Sequence, residues 1–117
     1  MPQYDYNSKI SLQGQNVTIS SGGTKSNALD VGGHGLVGMI MPAAFTGTSV
    51  TFEGSWDGTN FFPIYNTDGT QFSATVSTSR LIAFAPSDFV SCRLVKIVSS
   101  STEGADRVIN LIIRGLV

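Results

Sequence analysis

The side chains with the most chemical potential lie in one stretch, TFEGSWDGTNFFPIYNTDGT, residues 51–70. Glycoside hydrolysis needs a pair of carboxylates, and Glu53, close to Trp56, is the best local candidate. Residues an odd number apart in a strand point to opposite faces, so Glu53 and Trp56 should not share a site. We therefore expect that the chain is not an enzyme.

Two Asp-Gly pairs in the same stretch raise the question of calcium. Asp57, Asn60, Asn66 and Asp68 carry oxygens of the kind that calcium prefers, at two successive loops. Neither loop has EF-hand spacing, and Asp-Gly and Asn-rich loops are also the commonest turn chemistry. The pattern favours turns and predicts no cofactor, and a calcium site near Asp57–Asp68 is the alternative.

The single histidine and the single cysteine predict neither a catalytic nor a structural metal centre. His34 lies among glycines, and no G-x-S-x-G turn accompanies it, so we interpret it as a loop residue. Cys92 has no partner for an internal disulfide and lies in an apolar pattern, where buried cysteine is common. One histidine and one cysteine cannot form a structural zinc site. Because Cys92 cannot form an internal disulfide, the chain is expected to be made in a reducing cytoplasm.

Composition restricts the class of protein further. The 117 residues are 41% hydrophobic and only 13% charged, with a net charge of −1 and 13 glycines. Such a balance gives no electrostatic attraction for nucleic acid or an anionic membrane, so we expect neither partner. Low charge with many Gly, Ser and Thr residues is typical of a β-protein whose surface contacts other protein.

Short apolar runs of period two, separated by glycine-rich turns, predict an all-β chain. With about eight strands, the expected fold is an antiparallel β-sandwich, plausibly a jelly roll. Residues 1–8 are expected to form a polar N-terminal arm, and residues 9–117 a single β-sandwich domain. The strands are expected among ten extended segments, which are 9–12, 16–20, 25–31, 36–42, 50–56, 61–65, 71–76, 80–84, 93–99 and 107–113.

The aromatic stretch itself is expected to be a hairpin. Its first strand would carry on one face Val50, Phe52, Gly54 and Trp56. A loop of two or four residues would bring to that same face Phe61, Pro63 and Tyr65. We therefore expect these aromatics to form one cluster in the core, whereas a sugar-binding platform would need them exposed.

Two strands are apolar on both faces, which is unusual where one face meets water. In residues 36–41, Leu36 and Ile40 alternate with Val37, Met39 and Met41. In residues 108–113, the two sets are Ile109, Leu111 and Ile113 against Val108 and Ile112. Either a loop or the N-terminal arm covers the outer face, or a subunit interface does.

Three segments in this order resemble a group of small tailed-phage and prophage virion structural proteins. They are LVGMIMPAAFTGTSVTFEGSWDGTNFFPIYNTDG, SRLIAFAPSDFVSCRLVKIVSS and ADRVINLIIRG, and the likeness covers residues 32–115. The resemblance implies a capsid decoration (cement) protein, made in the host cytoplasm and located in the virion on the capsid surface. It implies the major capsid protein as partner and a homotrimer as the oligomeric state.

Within that interpretation, Tyr4 and Tyr6 of the N-terminal arm are the expected capsid contacts, because aromatic side chains anchor interfaces at little entropic cost. The alternative for the arm is a disordered tail. Two alternatives remain open. One is a tail, fibre-base or baseplate component of the virion, and the other is a carbohydrate-binding β-sandwich module that uses the aromatic hairpin.

Overall fold

The computed structural model describes residues 12–32 and 34–115, and within them the chain is all-β. The predicted N-terminal arm, residues 1–8, lies outside the described residues. The strands are β1 (Leu12–Ile19), β2 (Leu29–Asp30), β3 (His34–Ile40), β4 (Ser49–Ser55), β5 (Phe62–Pro63), β6 (Ser73–Thr75), β7 (Leu81–Ala83), β8 (Leu94–Ser99) and β9 (Arg107–Gly115).

The strands form two antiparallel sheets. Sheet A has the order β1-β9-β3-β7, and sheet B has the order β2-β8-β4-β5, with β6 also paired to β4. Both β5 and β6 run antiparallel to β4, so together they act as one strand interrupted by residues 64–72. Counted that way there are eight strands in two four-stranded sheets, and their order is that of a jelly roll. The predicted sandwich of about eight strands is confirmed.

Period-two alternation places the apolar side chains between the sheets. In β4, Val50 and Phe52 are fully buried, and in β8 the same is true of Val95 and Ile97. The remaining buried hydrophobic residues are Val17, Ile19, Leu29, Val31, Leu36, Met39, Met41, Phe45, Val76, Phe89, Ile109, Leu111 and Ile113.

Four phenylalanines form the aromatic part of this core. Phe52 lies at its centre, with its ring centroid 5.2–5.6 Å from those of Phe72, Phe84 and Phe89. The contacts of Phe52 with Phe84 and Phe89 are edge-to-face, the arrangement that aromatic quadrupoles favour. The predicted core cluster of hairpin aromatics does not form, and of its members only Phe52 belongs to the aromatic cluster of the core.

The predicted face alternation of β3 is wrong at Leu36. The register of β3 with β9 shifts between Leu36 and Gly38, which marks a β-bulge. An extra residue in one strand reverses the alternation that follows it. Leu36 and Met39 therefore share the inner face and are both fully buried, whereas Ile40 lies on the outer face and is exposed.

In β9 the predicted alternation is confirmed. Ile109, Leu111 and Ile113 point inward and are buried, whereas Val108 is 49% exposed on the outer face of sheet A. Ile112 lies on that same outer face and is half-buried.

One end of the sandwich is held by a buried carboxylate, Glu103. Its oxygens accept hydrogen bonds from the Thr46 amide (2.9 Å), the Gly47 amide (3.1 Å), the Ser99 hydroxyl (2.8 Å) and the Arg107 Nε (2.9 Å). Its backbone N–H donates to the Gly23 carbonyl, and its carbonyl accepts from the Gly22 amide. Glu103 therefore joins the β1–β2, β3–β4 and β8–β9 connections.

These donors also control the ionisation of Glu103. Burial alone would raise the pKa of the carboxyl, but the hydrogen bonds from Thr46, Ser99, Arg107 and Gly47 outweigh it and lower the pKa to about 2. A carboxylate with several donors keeps its charge in a site without water because each donor favours the ionised form.

Glu103 makes the stability of the fold depend on pH. The folded pKa lies below the ordinary value of 4.5, so its contribution is fully present above pH 4.5 and is lost as the pH falls towards 2. We expect Glu103→Gln to lower the free energy of unfolding at pH 7 by about 3 kcal/mol, because Arg107 loses its partner in a buried site.

Urea unfolding at pH 7 and at pH 3 measures both effects. The glutamine variant should lose less stability than the wild type between the two pH values. Glu53→Gln is the matched control, since it removes a carboxylate from the surface pair with Lys25 and should cost less than about 1 kcal/mol. Equal pH dependence in the wild type and Glu103→Gln would contradict this role.

Candidate functional site

The hairpin of residues 51–70 has a different register from the predicted one. Gly54 pairs with Phe62 and Glu53 pairs with Pro63, so the register continued past Ser55 leaves three loop residues, 57–59. Compared with a loop of two or four residues, a loop with an odd number of residues moves each side chain of the second strand to the opposite face of the sheet. Phe61, Pro63 and Tyr65 therefore belong to the outer face of sheet B.

The prediction that Trp56 packs in the core is also wrong. Trp56 follows the last residue of β4, and its side chain is 74% exposed. Phe62 has the inward parity of Gly54 but lies beyond the edge of the core, and it is 61% exposed. Together with Tyr65, which is 57% exposed, the hairpin thus presents three aromatic rings to solvent.

The turn between the first two of these rings is fixed by Asp57. Its Oδ1 accepts from the amides of Thr59 and Asn60 and from the Ser55 hydroxyl, and its Oδ2 accepts from the Asn60 side-chain amide. The bonds from Asn60 and then Thr59 hold the pKa of Asp57 well below its ordinary value. Gly58 has a φ of 84°, a conformation that glycine adopts without strain. The turn interpretation of the first Asp-Gly pair is confirmed.

The second Asp-Gly pair has the same chemistry. Asp68 Oδ1 accepts from the Thr70 amide (2.9 Å) and hydroxyl (2.6 Å), and these bonds lower the pKa of Asp68. Gly69 has a φ of 92°. Both carboxylate oxygens of Asp57 and the Oδ1 of Asp68 accept turn hydrogen bonds, which favours the turn interpretation over the calcium alternative.

A cleft of about 230 Å³ lies between this hairpin and the loop before β8. Trp56 and Phe62 stand at its mouth, and Ile64 and Cys92 cover Gly54 at its base. A side chain at position 54 would collide with the Cys92 sulfur, so the glycine is required by close approach. The cleft is mainly apolar, and Ser91 adds a hydroxyl at its rim. Such a site suits the flat apolar face of a ring.

Glu53 lies on the outer face of sheet B, opposite to the face on which Gly54 lines the cleft, as predicted. Its carboxylate forms a 2.7 Å salt bridge with Lys25, and Lys96 is its neighbour in register on β8. Lys96 Nζ in turn lies 4.4 Å from the centroid of the Phe61 ring. The Glu53 carboxylate is therefore paired with Lys25 on the outer face of sheet B and does not face the Trp56 cleft.

His34 and Cys92 take separate positions in the fold. His34 is the first residue of β3 and pairs with Gly115, so the prediction that it lies in a loop is wrong. Cys92 is half-buried against the core, and burial raises the pKa of its thiol. Among residues 12–32 and 34–115, no three His, Cys, Asp or Glu side chains come together as a metal site.

A second surface is the outer face of sheet A. The register places on it, strand by strand, Leu12, Gly14, Asn16 and Thr18 of β1, Val108, Asn110, Ile112 and Arg114 of β9, Gly38 and Ile40 of β3, and Leu81 and Ala83 of β7. Arg114 is the one charged residue of this set. Leu12, Leu81, Val108 and Ile40 are 59%, 64%, 49% and 39% exposed, respectively. Within the described residues, nothing covers this face.

The expected capsid contacts, Tyr4 and Tyr6, lie outside the described residues. In the part of the chain that is described, there is no apolar helix of membrane-spanning length. The chain matches no protein-family model, and no curated protein or solved structure is significantly similar to it.

The exposure of Trp56 can be measured directly, because it is the only tryptophan. We expect acrylamide to quench its fluorescence in the native protein nearly as well as in urea. Trp56→Ala should change the free energy of unfolding by less than about 0.5 kcal/mol, since it removes no core contact. Phe52→Ala is the control, and cavity formation should make it cost about 3–5 kcal/mol. A strongly shielded Trp56 would contradict the exposed position described above.

Proposed function

We propose that the chain is a virion structural protein of a phage or prophage, a capsid decoration protein that binds the outer capsid lattice and stabilises the head. The observation that carries the proposal is the apolar, nearly uncharged outer face of sheet A. Its partner on this proposal is the major capsid protein, and its location is the capsid surface of the virion.

The centre of this face is suited to contact with a flat protein surface. At Gly38 an added Cβ would lie 3.5 Å from the Cδ1 atoms of both Ile112 and Leu81, so these two side chains cover the glycine. Ile40 and Val108 flank them on the same face. The centres of protein interfaces are depleted of charge and rich in such side chains. A patch of this composition in water favours association.

The fold and the sequence pattern support the same class of protein. Jelly rolls are frequent in viral capsid proteins, although lectin domains share the architecture. The fold therefore does not choose a function by itself. The resemblance of residues 32–115 to small phage virion proteins favours the virion over the lectin.

The test uses heads from the phage or prophage that encodes the chain, produced with its gene deleted. We expect the purified full chain to bind expanded heads in lattice-related copy number. Val108→Lys should weaken this binding at least ten-fold, because a buried unpaired charge is costly in an interface. Val90→Lys is the matched control, since Val90 is equally apolar and 59% exposed but lies outside sheet A.

Two outcomes would count against the proposal. One is absence of the protein from purified heads, together with its presence on tails or baseplates, which would assign it to another virion part. The other is equal loss of binding in the Val108 and Val90 variants, which would show that the outer face of sheet A is not the contact.

Carbohydrate binding is a second candidate, and the exposure of Trp56 and Phe62 favours it. Exposed rings beside a cleft of about 230 Å³ are what a sugar-binding platform requires. The hydrogen bonds of Asp57 fix the backbone of the turn between the two residues, which lowers the entropic cost of ordering the hairpin on binding.

Retention of the full chain on an array of glycans tests this candidate. Trp56→Ala should abolish retention without unfolding the protein. Tyr65→Ala is the matched control, because Tyr65 is a 57% exposed aromatic residue that does not line the cleft. No retention of the wild type on any glycan, or equal retention of the Trp56 variant, would remove the candidate.

A further inference from the structure

The edge strands of the two sheets are unequal. At the other edges of the described fold, β2 and β5 have two residues each, β6 and β7 have three each, and β5 contains Pro63. β1 is also an edge strand, but it has eight residues, LQGQNVTI, with no charge and no proline. Short strands and prolines protect sheet edges from pairing with other chains, and β1 has neither.

One end of the β1 edge is already occupied within the chain, at Thr18 and Ile19. Thr18 donates its amide to Asn27 Oδ1 (2.8 Å), and its carbonyl accepts from the Asn27 amide (3.4 Å). Both groups of Thr18 therefore point away from β9. Backbone direction alternates along a strand, so the amides and carbonyls of Gly14 and Asn16 point the same way. No described residue outside β9 forms a backbone hydrogen bond with them.

Within the described residues, no strand other than β9 pairs with this open stretch. After pairing with β1 at residues 26–27, the chain moves across to β8 at β2. That departure leaves a cleft of about 450 Å³ between β1 and β2, lined by Gln13, Gln15 and Asn16 of β1, by Leu29 and Asp30 of β2 and by Ile113 of the inner face of sheet A.

We propose that the open half of β1 pairs with the same segment of a second copy of this chain. The two segments run antiparallel about a two-fold axis at Gly14, which places Leu12 of one copy opposite Asn16 of the other. Identical strands repel one another where like charges face, and this stretch has no charge. The pairing is self-complementary, as a two-fold interface requires, and adds about six backbone hydrogen bonds.

The pairing joins the two copies of sheet A into one continuous eight-stranded sheet. The outer faces of both copies then lie on one side, because side chains of paired residues point the same way. The dimer carries one apolar surface of doubled area. The inference concerns self-association and is independent of the proposed function, because the same edge would pair in a protein that binds sugars.

Sedimentation of the full chain over a range of concentrations tests the pairing. We expect a concentration-dependent species with about twice the 12.4 kDa mass of one chain. Asn16→Pro removes the outward amide without touching the bonds to β9, and it should weaken self-association at least ten-fold at an unchanged melting temperature. Asn16→Ala is the matched control, since it keeps the amide and should still form the dimer.

A cysteine tests the register. Gly14→Cys in a Cys92→Ser background should form an intermolecular disulfide on mild oxidation, because the two copies of residue 14 face one another at the axis. Gln13→Cys in the same background is the control and should cross-link much more slowly, since residue 13 faces residue 15 of the other copy.

Three results would overturn the proposal. A wild type that stays monomeric at all concentrations would show that β1 does not pair with a second copy. A trimer, the state that the phage resemblance implies, would assign self-association to another surface. Undiminished association of Asn16→Pro would show that the β1 backbone is not involved.

Discussion

The buried carboxylate of Glu103 is the constraint on which the arrangement of both sheets depends. Its side chain binds the amides of Thr46 and Gly47 before β4 and the guanidinium of Arg107 at the start of β9. A side chain at Gly47 would overlap the Ser99 hydroxyl, so the network leaves no space for any residue but glycine. Since a buried charge is tolerated only when its hydrogen-bonding capacity is filled, removing one donor affects the others. The strands that begin at this end therefore begin in a fixed register.

The opposite end of the sandwich is free of that constraint, and two of the exposed features lie there. The β4–β5 hairpin with Trp56 ends at that side, and so does the open half of β1 at Leu12. The hairpin is rigid because Asp57 fills its own turn with hydrogen bonds. The β1 edge is open because residues 26–27 cover only Thr18 and Ile19. One end thus supplies stability, and the other leaves backbone and aromatic surface available for binding.

The sandwich and its turns were predictable because they depend on local rules. Alternation in β9 placed Ile109 and Val108 on the correct faces, and the Asp-Gly pairs formed the turns that their chemistry favours. Two of the failures share one physical cause, which is that strand parity changes with a single residue, whereas Trp56 keeps its predicted parity and is exposed because it lies beyond the end of β4. The three-residue loop moved Phe61 and Pro63 outward, and the bulge in β3 turned Leu36 inward. Glu103 was missed for a different reason, because its partners at Thr46 and Gly47 are more than fifty positions away and form no local motif.

The exposure of Trp56 and Phe62 changes how the aromatic hairpin bears on function. With Trp56 in the core, the hairpin would be scaffold, and a sugar platform would have no residues. With Trp56 and Phe62 exposed, the chain has an aromatic cleft in addition to the apolar outer face of sheet A. The two surfaces do not compete, because the cleft belongs to the hairpin end of sheet B and the apolar face belongs to sheet A. A protein bound to a lattice through sheet A would therefore still present Trp56 and Phe62 to solvent, and binding at one surface does not exclude binding at the other.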